Sequence, residues 1–252
     1  MQLPELLAPG GNLEKAKIAL LYGADAVYIG GSNYGLRAQA GNFTLAEMAT
    51  LLQFAHQQGK KVYVTVNIYA QNRHFHDLSV YLQQLADLQV DGILISDPGI
   101  FALAKKIAPT LPLHISTQAN IQNTGAAAFW AQAGASRVVL GREVGGEDIA
   151  AICHGCNAEI EVFVHGAMCM AYSGRCLLSS YFKMCIRDRH VAYLVMLGGA
   201  VGMTAGIMKE KASHGILNGI GKMELGKDLT DFTEKTGKTM IKAGKVISRI
   251  GK

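Results

Sequence analysis

Gly92-Ile93-Leu94-Ile95-Ser96-Asp97, an amphipathic run from Ile100 to Ile107, and Leu113-His114-Ile115-Ser116-Thr117-Gln118 read in turn as strand, helix and strand. Each strand segment is apolar at its start and polar at its end. Strands this apolar are buried on both faces, which marks a parallel sheet covered by helices. The polar residues then collect at one edge of that sheet.

The same alternation continues in both directions. Strand candidates are Glu5–Ala8, Ala26–Gly30, Lys61–Asn67, Arg137–Leu140 and Glu159–His165, besides the two above. Helical patterns lie between them at Leu13–Tyr22, Leu45–Gln58, Leu78–Leu88, Thr124–Ala133 and Gly146–Cys153. About seven βα units of this size suit an α/β chain of the (β/α)8, TIM-barrel-like class better than a doubly wound open sheet, with an eighth strand still owed. The 29 glycines against 5 prolines fit the tight strand-to-helix turns of such a chain. Half of the 252 residues are apolar, enough to bury one large domain, which excludes a disordered or fibrous protein. Met1 is followed by Gln2-Leu3-Pro4-Glu5 and not by a basic and then apolar run, so no signal peptide is read and a cytoplasmic barrel is expected.

The chain changes character near Lys183. Val191–Met208 is uncharged and carries Gly198, Gly202 and Gly206 at the G-x-x-x-G spacing of closely packed membrane helices, although it only just reaches a spanning length. The plainer reading is a buried glycine-rich helix or loop. Membrane contact is thus expected, if anywhere, only through this tail. A Lys-rich, helix-like stretch follows to Lys252, and no strand pattern, so the eighth strand is not expected from it. Residues 1–182 hold 11 Lys/Arg and 13 Asp/Glu, a net of −2, whereas residues 183–252 hold 13 and 6, a net of +7. The overall charge of +5 is therefore the tail's, and gives no argument that the barrel binds nucleic acid.

The junction has its own reading. Lys183-Met184-Cys185-Ile186-Arg187-Asp188-Arg189 back-translates through AGATGTGTATAAGAGACAG, the mosaic-end sequence of a transposase used in preparing sequencing libraries. We therefore expect a chimera: a C-terminally truncated barrel domain over 1–182, an adapter-like junction over 183–189 and an unrelated, foreign helical tail over 190–252.

Polar residues at the strand ends are the candidates for chemistry: Asn67, Asp97, His114, Gln118, Arg142, Glu143 and His165. Groups ending successive barrel strands must satisfy one another or meet a ligand. Arg142 suits a carboxylate or phosphate held in bidentate fashion, and His165 suits proton transfer near neutral pH. The five cysteines, Cys153, Cys156, Cys169, Cys176 and Cys185, are clustered and odd in number, which favours metal or redox chemistry over structural disulfides in a cytosolic chain. Cys153-His154-Gly155-Cys156 has no second pair and falls between a helix and a strand, on the face away from the rim, so it reads as incidental.

Glu161-Val162-Phe163-Val164-His165-Gly166-Ala167-Met168-Cys169, followed by Gly174-Arg175-Cys176-Leu177-Leu178-Ser179, is the most specific stretch. It resembles the signature of peptidase family U32, the collagenase-like family: E-x-F-x-x-G-[SA]-x-C, then G-x-C-x-x-S. The resemblance extends through Pro4–Gly11, Gly23–Tyr28, Val66-Asn67, Ser96–Gly99, Ser116–Asn120 and Gly141-Arg142-Glu143, and looks closest to the RNA-hydroxylating branch of the family. It implies a 4Fe-4S cluster bound by four cysteines, the first two matching Cys169 and Cys176, with the other two in a segment this chain replaces. Cys185 belongs to the adapter reading and is not counted. It also implies tRNA as partner, with no DNA, the wobble uridine as substrate and prephenate as hydroxyl donor. On that reading His165, Asp97, Arg142 and Glu143 are the catalytic candidates, and Asn67, His114 and Gln118 the substrate-binding ones. With two of four cluster ligands, the chain as written is expected to be inactive. Rivals are a peptidase, although no H-E-x-x-H or G-x-S-x-G is present, and a non-catalytic cluster-bearing subunit.

Overall fold

The computed structural model describes residues 4–35, 42–165, 172–174 and, for the backbone alone, 192–196. Seven parallel strands alternate with helices: β1 (Glu5–Pro9), α1 (Leu13–Leu21), β2 (Ala26–Gly30), α2 (Leu45–His56), β3 (Lys61–Val66), α3 (Phe75–Asp87), β4 (Gly92–Ile95), α4 (Pro98–Ile107), β5 (Leu113–Ile115), α5 (Thr124–Ala133), β6 (Arg137–Val139), α6 (Gly146–Gly155) and β7 (Glu159–His165). Single turns of 3-10 helix at Asn72–His74 and Thr117–Ala119 follow β3 and β5. Each strand pairs in parallel with the next, from β1 to β7, and the wall curls into a barrel. The doubly wound alternative is thereby excluded.

One expectation is corrected. The eighth place in the wall is taken by β8 (Ala192–Met196), which pairs antiparallel with both β1 and β7. The first and seventh strands would otherwise present unpaired N–H and C=O groups. The sequence Ala-Tyr-Leu-Val-Met has enough strand propensity to satisfy them. Because Ala192 lies opposite His165, β8 starts where β7 ends, and the antiparallel sense needs no return across the barrel. In the sequence this run is continuous with the uncharged glycine-rich stretch behind it, which hides its strand character.

Local signals explain the helix boundaries. Asn12, Asp97 and Asn123 accept a backbone N–H at the starts of α1, α4 and α5, and Thr44 with Glu47 forms a reciprocal capping box at α2. Pro98 occupies the first turn of α4, where its missing N–H costs nothing. Gly134, in the left-handed region at φ 103°, ends α5.

Two apolar layers result. Outward-facing strand residues such as Val27, Ile29, Val62, Val64, Ile93, Ile95, Ile115 and Val138 pack against Leu20, Met48, Leu51, Leu82, Ile100 and Ile152 of the helices, all essentially inaccessible. Each such aliphatic side chain contributes roughly 1.5–3 kcal/mol on burial. Inside the barrel a second, smaller cluster comprises Leu7, Ala26, Tyr63, Leu94 and Val139, with Tyr28 and Phe163 against it. The interior is a packed core and not a pore, so ligands can be met only at its ends.

Candidate active site

The two ends of the barrel are both polar, and they differ in kind. At the end where the strands begin, charged residues open β1, β3, β6 and β7: Glu5, Lys61, Arg137 and Glu159. Arg137 is only 2% exposed and holds three carboxylates, with Nη1 2.9 Å from Glu5, Nη2 2.6 Å from Glu159 and Nη1 3.6 Å from Glu161. Its guanidinium also lies 4.9 Å from the Tyr63 ring centroid. The Tyr63 hydroxyl donates to Glu5 at 2.9 Å and accepts from Arg137 Nη2 at 3.4 Å.

These carboxylates do not share one fate. Burial acts to raise Glu5, but Arg137 and Lys61 outweigh it and hold that carboxyl below its ordinary range. Glu161 is fully buried, its oxygens have no close hydrogen-bond partner among the described residues, and desolvation prevails over Arg137 and pushes its pKa up to about 7. The difference follows from distance: Glu5 accepts directly from Arg137, Lys61 and Tyr63, whereas Glu161 only approaches the guanidinium.

His114 belongs to this lower cluster, which corrects its placement among the rim residues. It is the middle residue of the short β5, in register with Arg137 at the start of β6, and its ring meets Tyr63 edge-on at 4.7 Å. Burial and the neighbouring Arg137 and Lys61 hold its pKa well below the ordinary value, so it is neutral. The period-two alternation that turned its side chain inward was visible in the sequence, but its depth along the barrel was not.

At the opposite rim, the loops after β3, β5, β6 and β7 meet. The Arg142 backbone N–H donates to Ser173 Oγ at 3.3 Å, and the Ser173 N–H donates to Glu143 Oε1 at 2.8 Å. The Arg142 guanidinium lies 4.0 Å from the Phe163 ring centroid, a cation–π contact that fixes the plane of its fork. Burial would raise the Glu143 carboxyl, but hydrogen bonds from Ser173 and from its own backbone, with Arg142 nearby, hold it low and therefore ionised. Its second oxygen is buried without a hydrogen-bond partner among the described residues. A Cβ on Gly141 would fall 2.9 Å from that oxygen, so any larger residue there would displace the Glu143 carboxylate. Gly174, at φ 76°, lies so close to the Gln118 carbonyl oxygen that an added Cβ would be 2.4 Å from it. Residues 172–174 are thus seated on the β5 loop, where Thr117 Oγ1 donates to the Leu140 carbonyl at 3.2 Å.

The remaining candidates divide. Gln118 sits in this seam, Asn67 accepts from Ser96 Oγ at 3.4 Å through its carbonyl, and His165 is half-buried at the end of β7. The Asp97 carboxylate accepts the Ile100 N–H at 3.0 Å, and so serves as the cap of α4. Sequence reading missed Ser173, Tyr69, Tyr172 and Phe163 as contributors to the rim; Phe163 stood in the signature, but nothing in its spacing tied it to Arg142. The lower ion cluster had a readable signal, since four of seven strands open on a charged residue.

Cys169, Cys176 and Cys185 lie outside the described residues. Among those that are described, no group of His, Cys, Asp or Glu is arranged to hold a metal. Cys153 and Cys156 are buried free thiols at the end of α6, away from the rim, and burial raises the Cys153 thiol.

The peptidase family U32 profile matches residues 11–190. The tRNA hydroxylation protein P1 of Bacillus subtilis (strain 168) is 50% identical over 185 residues, covering 73% of this chain and 43% of that protein. The 23S rRNA 5-hydroxycytidine C2501 synthase of Escherichia coli (strain K12) is 39% identical over 175 residues, covering 69% of this chain and 26% of that protein. The chain spans less than half the length of these curated relatives. Among solved structures, the U32 peptidase Mk0906 superposes with a TM-score of 0.57 at 16% identity, covering 70% of this chain and 73% of that one, a likeness of fold. No helix among the described residues is long and apolar enough to cross a membrane.

Proposed function

The chain belongs to peptidase family U32, and from that premise we propose that it is the barrel part of an RNA-hydroxylating enzyme and not of a protease. The observation that carries this reading is the Arg142–Ser173–Glu143 ledge at the rim. It presents an ordered guanidinium backed by Phe163 and an ionised carboxylate. The guanidinium suits recognition of an anionic co-substrate or a phosphate, while the carboxylate orders the turn through Ser173. Among the described residues the rim pairs no serine or cysteine with a histidine, as acyl transfer would need. The relatives named for tRNA and rRNA hydroxylation support the same choice.

In its finer form the proposal takes the tRNA wobble uridine as substrate and prephenate as hydroxyl donor, with Arg142 meeting a prephenate carboxylate. Cys169 and Cys176 would supply two thiolates to a 4Fe-4S cluster whose role is redox chemistry without dioxygen. His165, Glu143 and Gln118 remain at the rim as groups to position substrate or move a proton. We further propose that residues after about Phe182 are not the enzyme's own. What supports this is the adapter-like reading of Lys183–Arg189; the family match itself runs through that stretch to residue 190. Amplification of the source gene across the codons for Tyr181–Val191 tests this: an uninterrupted genomic read through Lys183–Arg189 would refute it.

The functional test joins residues 1–182 to the natural continuation and incubates the product with unmodified tRNA and prephenate. Nucleoside mass spectrometry should show one added oxygen on uridine, lost in Arg142→Lys, whose point charge cannot replace a planar fork. Casein or collagen cleavage without RNA oxidation would overturn the reading.

A further inference from the structure

Two large aromatic side chains stand exposed at the rim although the interior below it is packed: Tyr69, in the loop after β3, is 48% exposed, and Tyr172, after β7, is 54% exposed. Neither dangles. The Tyr69 hydroxyl donates to the Gly174 carbonyl at 3.4 Å, and the Tyr172 hydroxyl donates to Gln122 Oε1 at 3.5 Å. The two side chains thus bridge loop to loop, from β3 to β7 and from β7 to β5. The intervening turn is pinned by Ser173 to Glu143 and by Gly174 to the Gln118 carbonyl. Beside them Gln122 Nε2 donates to Asn120 Oδ1, so two side-chain amides share the same rim.

Resting on the RNA-modifying reading above, we propose that Tyr69 and Tyr172 form a stacking platform for one unpaired RNA base at the mouth of the barrel, with the amides of Asn120 and Gln122 facing its hydrogen-bonding edge. An exposed aromatic face costs free energy in water, and a π-stacked base is the RNA component that covers it. Tethering each hydroxyl restrains the ring before the base arrives, which lowers the ordering cost of binding. Amides offer both donor and acceptor, matching the edge of a nucleobase, whereas a phosphate would use only the donors. Arg142, whose backbone N–H meets Ser173 in the same turn, brings a cation to this rim for the charged group that accompanies the base.

The test measures binding and not turnover, so it does not depend on the cluster. Fluorescence anisotropy of the full chain with a labelled single-stranded oligouridylate, at fixed low salt, should show Tyr69→Ala and Tyr172→Ala each weakening binding by about 5- to 150-fold. Tyr69→Phe and Tyr172→Phe, which keep the ring, should stay within a few-fold of the parent. With an oligonucleotide of the same length made abasic throughout, the parent and the alanine variants should bind alike. Near-parental binding by both alanine variants, or equal losses on abasic RNA, would overturn the platform while leaving RNA modification standing. Failure of the parent chain to bind any single-stranded RNA would overturn both.

Discussion

Replacing Arg137 by methionine should be the most damaging single change in the lower barrel, because it removes the one cation shared by three carboxylates. At an effective dielectric of about 20, each carboxylate within 3–4 Å gains roughly 5 kcal/mol from the guanidinium before desolvation is counted. The net cost is smaller because the carboxyls can protonate. Glu161 already titrates near 7, so at pH 7.5 forcing it fully neutral adds only about 1 kcal/mol. Glu5 keeps Lys61 and Tyr63 but loses its 2.9 Å contact with Arg137. Its protonation from an ordinary 4.5 caps its share at about 4 kcal/mol at that pH. The expected loss is therefore about 3–5 kcal/mol, the range for breaking a buried ion pair on one side. For urea unfolding followed by far-ultraviolet circular dichroism, this corresponds to a fall in midpoint of about 1–2 M. The deficit should shrink between pH 7.5 and pH 5: with Arg137 gone, burial is no longer offset by its charge at Glu5 and Glu161, so in the variant these carboxyls bind protons more readily folded than unfolded and acidification favours its native state. Adding Glu161→Gln should recover part of it. A midpoint shift below about 0.3 M, or a deficit that grows on acidification, would refute the reasoning.

Three further outcomes are expected. Glu161→Gln alone should raise the unfolding midpoint at pH 8: the native carboxyl, pushed from 4.5 to about 7, favours folding below pH 4.5 and loses that advantage as pH rises through 7, so the variant should flatten stability across this window, and a steeper profile would count against it. Thr44→Ala should cost about 1 kcal/mol in the same denaturation by removing the capping box of α2, with an unchanged midpoint as the contrary result. Gly174→Ala should weaken oligouridylate binding while leaving the barrel's urea midpoint nearly unchanged, because its strain at φ 76° and its approach to the Gln118 carbonyl are local to the rim; parental binding would show that the seam is not needed.

Sequence alone determined the elements and the class of fold. Parallel strands buried on both faces must be nearly continuous apolar runs, and Ala26–Gly30 and Gly92–Ile95 are legible for that local reason. The caps at Asn12, Asp97 and Asn123 are likewise short-range. The Glu161–Cys169 signature pointed to the family, and with it to RNA. Tertiary structure alone decided where along the barrel each inward residue stands. His114 and Arg142 both looked like strand-end polar groups, yet strand register sinks one into the ion cluster beneath the core and leaves the other on the rim. It also decided that β8 closes the wall antiparallel, since pairing with β1 and β7 joins residues some 30 to 190 positions apart. Ser173 and Gly174 carry no periodic signal; their meaning arises only when the loops of β5, β6 and β7 meet. Local patterning records which face of a strand is buried, whereas a site made of loop ends depends on stagger and closure, which no single segment contains.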